Sequence, residues 1–500
     1  MATIRKAMAA IYLERYIVLG LSFLTIAISS RFLTPREIGL SILGATYIQF
    51  AEAFRDFGVT NYLVNSKTVT LEVKQTAFTV VFAVALLLSA FIMLSAEWYA
   101  GLYNEPSLIP FIQLVAISFI FAAFASPILA MLRRELEFGR VSLVNIASAV
   151  VSNAVILALA ALGYGYMSFA WGSLCWPAAN LVFAFMLRPE TAIYYPRLKG
   201  WREVVSFGGY TTVTGMLNQV VDMLPIMALG RTTTLAGVAN YSRAYQLCQI
   251  PGKFLYTTAA AIALPAFAQH IRDGGDLKRP FLLGLTHATA IQWPALLLLA
   301  LLAHPIVTTA LGTQWVDVVP LMQILALSSL LAFTNGLSTP ALIAAGGVRD
   351  TMIASFIWLP LCGIITISAA LQGPLILALS TFVTIPLQLF VTLWFLQKRI
   401  QLSYADIASA LAASAALSAV SMAGPAVIWA ANGFRFEMPL SVVLSIGALW
   451  GAGWIIGLRV TKHPMAGEVV RILRALERAA PVTSRFTNLL GRMLVGPTQP

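Results

Sequence analysis

Apolar runs long enough to cross a membrane recur along almost the whole chain, separated by short polar gaps. A hydrocarbon core about 30 Å thick takes a helix of about 20 apolar residues. Windows of that kind fall near 11–30, 38–57, 76–95, 109–132, 141–162, 167–187, 208–229, 238–265, 281–303, 319–343, 352–371, 374–396, 407–430 and 440–458. Inside lipid the backbone N–H and C=O groups find no water, so each run must satisfy them within itself as a helix. The expected fold is all-α: a polytopic membrane protein with about 14 transmembrane helices. An even number places both termini on one side.

Composition agrees with this and narrows the function. The chain is 59% hydrophobic and 10% charged, against about 45–50% apolar in soluble domains. The first run follows Arg5 and Lys6 and is too long for a cleaved leader, so it reads as a retained first span. Cys175, Cys248 and Cys362 all sit within apolar runs, which indicates neither a disulfide framework nor a zinc site. The net charge of +12 does not imply nucleic acid, because the basic residues are spread over short gaps between apolar runs. With the N-terminus inside, 24 of the 32 Lys and Arg residues fall on inner segments and four on outer loops. Arg15, Arg55, Arg243 and Lys253 are left within spans. That asymmetry predicts cytoplasmic N- and C-termini.

A weak internal repeat organises the spans. A shift of 200 residues pairs Leu24 with Leu224, Ile26 with Ile226, Arg31 with Arg231, Thr34 with Thr234, Gln49 with Gln249 and Phe54 with Phe254. Both copies open a six-span block and place the paired Arg and Thr in an outer turn. Repeats with an even number of spans keep the same orientation, so the expectation is two parallel six-helix lobes around a central cleft. The expected domains are 1–200, an N-terminal lobe with its Pro- and Arg-containing linker; 201–400, a C-terminal lobe; 401–460, an additional helix pair; and 461–500, a basic amphipathic cytoplasmic tail. In that tail Val469, Ile472, Leu473 and Leu476 share a helical face beside Arg471, Arg474 and Arg478, a pattern suited to the surface of anionic membrane lipids.

The segments SSRFLTPREIGLSIL, FRDFG from Phe54 to Gly58, LGRTTTLAGVANYSRAY, and LGTQW from Leu311 to Trp315 are similar to recurring signatures of a known group. They resemble the bacterial polysaccharide transporter (oligosaccharide flippase) family of the multidrug/oligosaccharidyl-lipid/polysaccharide exporter superfamily. The resemblance runs roughly from Ile11 to Arg399. It implies a flippase that moves a lipid-linked oligosaccharide across the inner membrane by alternating access, with a polysaccharide polymerase and export machinery as possible partners.

The intramembrane charges are the candidate site. On that resemblance, Arg15, Arg55 and Lys253 attract the phosphates of a polyprenyl-diphosphate headgroup, arginine through paired bonds and lysine as a point charge. The bland alternative is that these long chains snorkel to the inner interface. Arg243 and Tyr241 are counted with the substrate-binding set; Tyr210, Tyr241 and Tyr245 suit either sugar stacking or interface anchoring. Asp222 lies near the middle of its span and is a candidate for coupling to H+ or Na+, or for a structural ion pair with Arg243. Glu52 and Asp56, one turn apart beside Arg55, either neutralise the nearby arginines or form a second coupling site.

No Gly-rich phosphate loop ending in Lys-Ser or Lys-Thr and no HExxH cluster occurs in the sequence, so neither ATP hydrolysis by that route nor a metal or cofactor is expected, and the resemblance implies a transporter, not an enzyme. Export of drugs or cations by the same superfamily is the runner-up, disfavoured by surplus cations in the cleft. A membrane-embedded glycosyltransferase or polymerase would need a sizeable charged outer loop, and the outer loops here are short.

Overall fold

Helices account for all the regular structure of the described residues. The computed structural model describes residues 2–471 apart from 56, 57, 67 and 335, and within helices it leaves out the side chains of 2–9, 53, 61, 65, 206–218, 220–222 and 254–262. In chain order the helices are α1 (Ala2–Phe32), α2 (Pro35–Arg55), α3 (Val59–Asn65), α4 (Leu71–Tyr103), α5 (Leu108–Ala116), α6 (Ser118–Arg134), α7 (Phe138–Ala161), α8 (Met167–Leu187) and α9 (Trp201–Thr232). They continue with α10 (Leu235–Arg272), α11 (Lys278–Leu301), α12 (Ala303–Ile306), α13 (Val318–Ser329), α14 (Ser338–Ala344), α15 (Val348–Ala370), α16 (Pro374–Ile400), α17 (Tyr404–Ala431) and α18 (Leu440–Val460).

Ten helices among the described residues are long and apolar enough to cross a membrane, and each coincides with one of the fourteen expected windows. The other four windows fall on α2, α9, α10 and the stretch from α13 to α14. Those first three carry Arg55, Asp222, Arg243 and Lys253, charges that lower the mean hydropathy of a helix. The all-helical, multi-span character is thus established, and the ten helices are the part of the count that length and composition carry.

The chain divides into two compact units. The first takes Met1–Ser242 with the short segments Ala310–Trp315 and Ile367–Pro374; the second takes the remainder from Arg243 onward. The linker boundary expected near residue 200 falls at the start of α9, and α9 packs within the first unit: Tyr103 Oη donates to the Met227 carbonyl (3.2 Å) and Arg231 Nη1 to that of Leu102 (3.0 Å).

The signature segments build the turns of that unit. The α1–α2 and α9–α10 breaks fall at the same place in the two copies, after Phe32 and after Thr232. At the first, Thr34 and Glu37 form a reciprocal cap: the Thr34 N–H donates to Glu37 Oε2 (2.9 Å), and the Glu37 N–H donates to Thr34 Oγ1 (3.3 Å). At the second, Thr234 Oγ1 accepts from the Gly237 N–H (3.2 Å). The LGTQW segment closes on the first turn, with Gln314 Nε2 and Trp315 Nε1 both donating to the Ser30 carbonyl (2.6 and 2.8 Å). Gly39 lies so close to Leu235 that a Cβ would run into the Leu235 carbonyl.

Linker residues 188–200 are bound down on the first unit. Lys74 reaches Glu190 (2.9 Å), Arg188 bridges Glu135 (2.6 Å) and Glu190, and Glu72 takes Arg197 (2.8 Å) and Lys199 (3.1 Å). Burial raises the Glu190 carboxyl, but Lys74 and Arg188 outweigh it and hold the group below the ordinary glutamate range. Ile193 is fully buried beneath this network.

In the second unit α11 and α17 are joined by polar contacts. Thr289 Oγ1 donates to Ser414 Oγ (2.8 Å), and Ser414 donates to the Thr286 carbonyl (3.1 Å). His463, beyond the end of α18, closes the network: Nδ1 accepts from the Met465 N–H (3.1 Å), so Nε2 carries the proton and donates to Ser414 Oγ (3.2 Å). Residues 465–471 are helical, with Met465 and Val470 buried against Ala290, Leu417 and Leu458. The expected tail helix therefore begins as a packed segment; Ile472, Leu473, Leu476, Arg474 and Arg478 lie outside the described residues.

Candidate functional site

Four helix ends of the first unit meet around a cavity of about 260 Å3. Arg55, the last residue of α2, and Arg133, next to last in α6, supply the only charges among its described lining residues. Asn145, about two turns into α7, and Asn180, about two turns before the end of α8, add amides. Trp176 and Pro177 on α8 give the lining an apolar part, and Thr60 and Ser126, with hydroxyls 3.2 Å apart, add polar groups to it. Alternation of direction along the chain explains the convergence: the ends of α2, α6 and α8 and the start of α7 all lie at the end of the unit where α1 and α4 begin.

The electrostatics favour an anion. Arg55 Nη1 lies 3.2 Å from Glu52 Oε1, with side chains 38% and 45% exposed. An exposed i,i+3 pair of this sort contributes at most about 1 kcal/mol and breaks readily. Arg133 is half-buried and has no acidic partner among the described residues. Its neighbour Arg134 is committed elsewhere, with Nη1 donating to the carbonyls of Leu63, Val64 and Ser66 and so closing the end of α3. A guanidinium held in a lined cavity without a counter-ion is the arrangement that planar, bidentate anions such as phosphate or carboxylate satisfy.

Of the residues singled out from sequence, Arg55 lines this cavity, and Glu52 pairs with it one turn back on α2. Arg15 is exposed on α1, next to Glu14, whose carboxylate accepts from Asn145 Nδ2 (2.7 Å). Tyr241 is buried at 6% exposure, and Tyr245 is exposed. Arg243 is buried at 4% exposure in the second unit, Nη1 donating to Gln246 Oε1 (3.0 Å). Lys253 is exposed on α10 in the second unit. Asp56, and the side chains of Asp222 and Tyr210, lie outside the described residues. Sequence reasoning passed over Arg133, Asn145, Trp176 and Asn180. Arg133 reads as one of the inner-loop cations, and single amides within apolar helices carry no formal charge to mark them out. The available signal was Asn145, Asn153 and Asn180 recurring in otherwise apolar α7 and α8.

Comparison with known proteins bears on what such a cavity serves. The family described as "Polysaccharide biosynthesis protein" matches residues 28–320. The chain is 23% identical over 320 residues to the lipopolysaccharide biosynthesis protein WzxC of Escherichia coli K12, covering 63% of this chain and 64% of that one. To the succinoglycan biosynthesis transport protein ExoT of Rhizobium meliloti it is 22% identical over 381 residues, 70% of this chain and 75% of that one. It thus matches just under two thirds of the first relative's length. Among solved structures, the lipid II flippase MurJ in an inward closed conformation superposes with a TM-score of 0.71 at 13% identity, covering 91% of this chain and 98% of that one. An inward-facing multidrug resistance transporter of the MATE family, in the MOP superfamily, gives 0.61 at 14% identity, over 78% and 98%. These likenesses establish the fold as that of multi-span transporters.

Proposed function

Because the chain belongs to the polysaccharide biosynthesis protein family, we propose that it is a flippase, moving a lipid-linked (polyprenyl-diphosphate) oligosaccharide across the bacterial inner membrane for polysaccharide assembly. The observation that carries this reading is the cavity where half-buried Arg133 and loosely paired Arg55 face the same space. A diphosphate carries the charge those two guanidinium groups lack, and it is the one part common to every lipid-linked glycan of this kind. The names of the similar proteins support the same class: polysaccharide biosynthesis, succinoglycan transport, lipid II flipping.

In mechanism the arginines neutralise the diphosphate as it leaves water, which removes most of the cost of bringing it toward the hydrocarbon. The apolar lipid tail stays in the bilayer. Two lobes then rock about the bound headgroup, exposing it to each side in turn. Arg15, Lys253, Arg243 and Tyr241 remain candidates for contacts along the route, and an H+ or Na+ gradient acting through Asp222, with Glu52 and Asp56 as a lesser site, would set the direction. A polymerase and export machinery on the far side would consume the product. The surplus of cations argues against a cationic drug as cargo.

Purified protein reconstituted into liposomes with a fluorescent polyprenyl-diphosphate sugar tests this directly. Flipping above the protein-free rate is expected; none, with correctly inserted protein, would sink the proposal. The coupling clause has its own test: Asp222→Asn should lose the response to an imposed proton or sodium gradient, and an unchanged response removes Asp222 from that role.

A further inference from the structure

Resting on the flippase reading, the geometry points to a sharper assignment: the cavity is a subsite for a single sugar–phosphate unit, the junction where the first sugar of the glycan joins the diphosphate. Size decides against more. Clefts for drug-sized molecules run from about 300 to 1,000 Å3, and this one, at about 260 Å3, lies below that range. One hexose with its phosphate fits; a chain of several sugars does not.

The lining separates into two chemistries that match the two halves of such a unit. Arg55 and Arg133 bring the phosphate-binding forks. Trp176 offers an aromatic surface to the C–H groups of a sugar ring, an apolar body beside a polar site. The amides are set for hydroxyl donors. Asn180 Nδ2 donates to the Trp176 carbonyl (3.1 Å) and Asn145 Nδ2 to the Glu14 carboxylate (2.7 Å). Both partners are pure acceptors, so each amide must turn its N–H that way and present Oδ1 as an acceptor. Neither Oδ1 takes a hydrogen bond from a described residue. A site for diphosphate alone would have no use for two acceptor oxygens, since anions are repelled by them. A site for a neutral sugar alone would have no use for an arginine without a counter-ion.

The experiment uses full-length protein in lipid nanodiscs and four probes: inorganic pyrophosphate, glucose 1-phosphate, a short-chain polyprenyl diphosphate without sugar, and the same lipid carrying one hexose. The hexose-bearing lipid should bind tightest. Trp176→Ala and Asn180→Ala should each weaken it by about tenfold, a loss of about 1.4 kcal/mol, while leaving the sugar-free lipid unchanged; Arg133→Ala should weaken both lipids. Trp176→Phe, which keeps an aromatic face, should retain binding and so separates recognition from misfolding.

The subsite is overturned if the Trp176 and Asn180 variants weaken both lipids alike or neither. If glucose 1-phosphate binds as well as the hexose-bearing lipid, the junction assignment falls and the site is one for soluble sugar phosphates. Flipping that persists while these variants bind normally refutes the subsite and leaves the flippase standing. Trp176-dependent binding without any flipping refutes the flippase and leaves the subsite.

Discussion

At the scale of single residues, the useful distinction is between charges tied to partners and Arg133, which has no acidic partner among the described residues. Arg134, Arg188 and Lys74 are tied to carbonyls or carboxylates, whereas Arg133 faces a cavity without an acid. Hydrogen bonds to charged groups contribute about 1.5–3 kcal/mol, so Arg133→Ala should lower flipping about 10- to 100-fold at fixed substrate, with Arg133→Lys intermediate and with normal insertion; a liposome assay measures this.

His463 gives a pH prediction of definite sign. Burial first, and His287 second, push its imidazole down to about 4, while in the unfolded chain it titrates near 6.5. Between those values the unfolded state binds the extra proton and the folded state does not, so stability falls as pH drops from about 6.5 toward 4 and is level above that window. Thermal unfolding midpoints in detergent should fall across it, and by less in His463→Asn.

Arg55 could be read from sequence because a charge ending an apolar run stands out. The amides could not, because they carry no formal charge, and their partners Glu14 and the Trp176 carbonyl come from a distant helix and from the backbone.

At the scale of elements, the repeat and the signature segments turn out to specify joints. Thr34 and Thr234 each begin a helix by capping it, and Trp315 anchors to the carbonyl of Ser30 in the first of those turns. The segments that resemble the family are therefore where backbones meet, which is why they stand out in sequence while the cavity residues do not. Gly39 marks the tightest of these meetings. Any side chain there collides with the Leu235 backbone, and backbone, unlike a side-chain tip, has no rotamer by which to yield. Overpacking of this kind costs about 1–3 kcal/mol or more. Gly39→Ala should lower the thermal midpoint and the yield of folded protein, and Gly20→Ala, which meets nothing within 4 Å, should do neither. Equal effects of the two would mean that the α2–α10 approach is not tight. The bound-down linker was legible only as a Pro- and Arg-rich gap, since its partners Glu72, Lys74 and Glu135 lie more than fifty residues away in sequence.

At the scale of the whole molecule, apolar run length made the helical, membrane-spanning character readable in advance, because lipid leaves the backbone no alternative. The same reasoning is weakest at α2, α9 and α10, where charges within the apolar runs reduce the signal that marks a span. Orientation rests on charge. Moving Lys or Arg through the bilayer centre costs about 2.5–3.5 kcal/mol each, and 24 such residues lie on one set of loops against four on the other. Arg133 and the α6–α7 turn belong to the former set, so on the proposed reading the cavity should load from the cytoplasm. With Cys175, Cys248 and Cys362 replaced by Ala, Glu137→Cys in that turn should react with a membrane-impermeant maleimide only from the cytoplasmic face. Tyr164→Cys, exposed at the opposite end of α7, should react only from outside. The reversed pattern would put the arginines on the far side, where they could serve release of a headgroup but not its capture, and the direction of transport assigned to the molecule would have to be inverted with them.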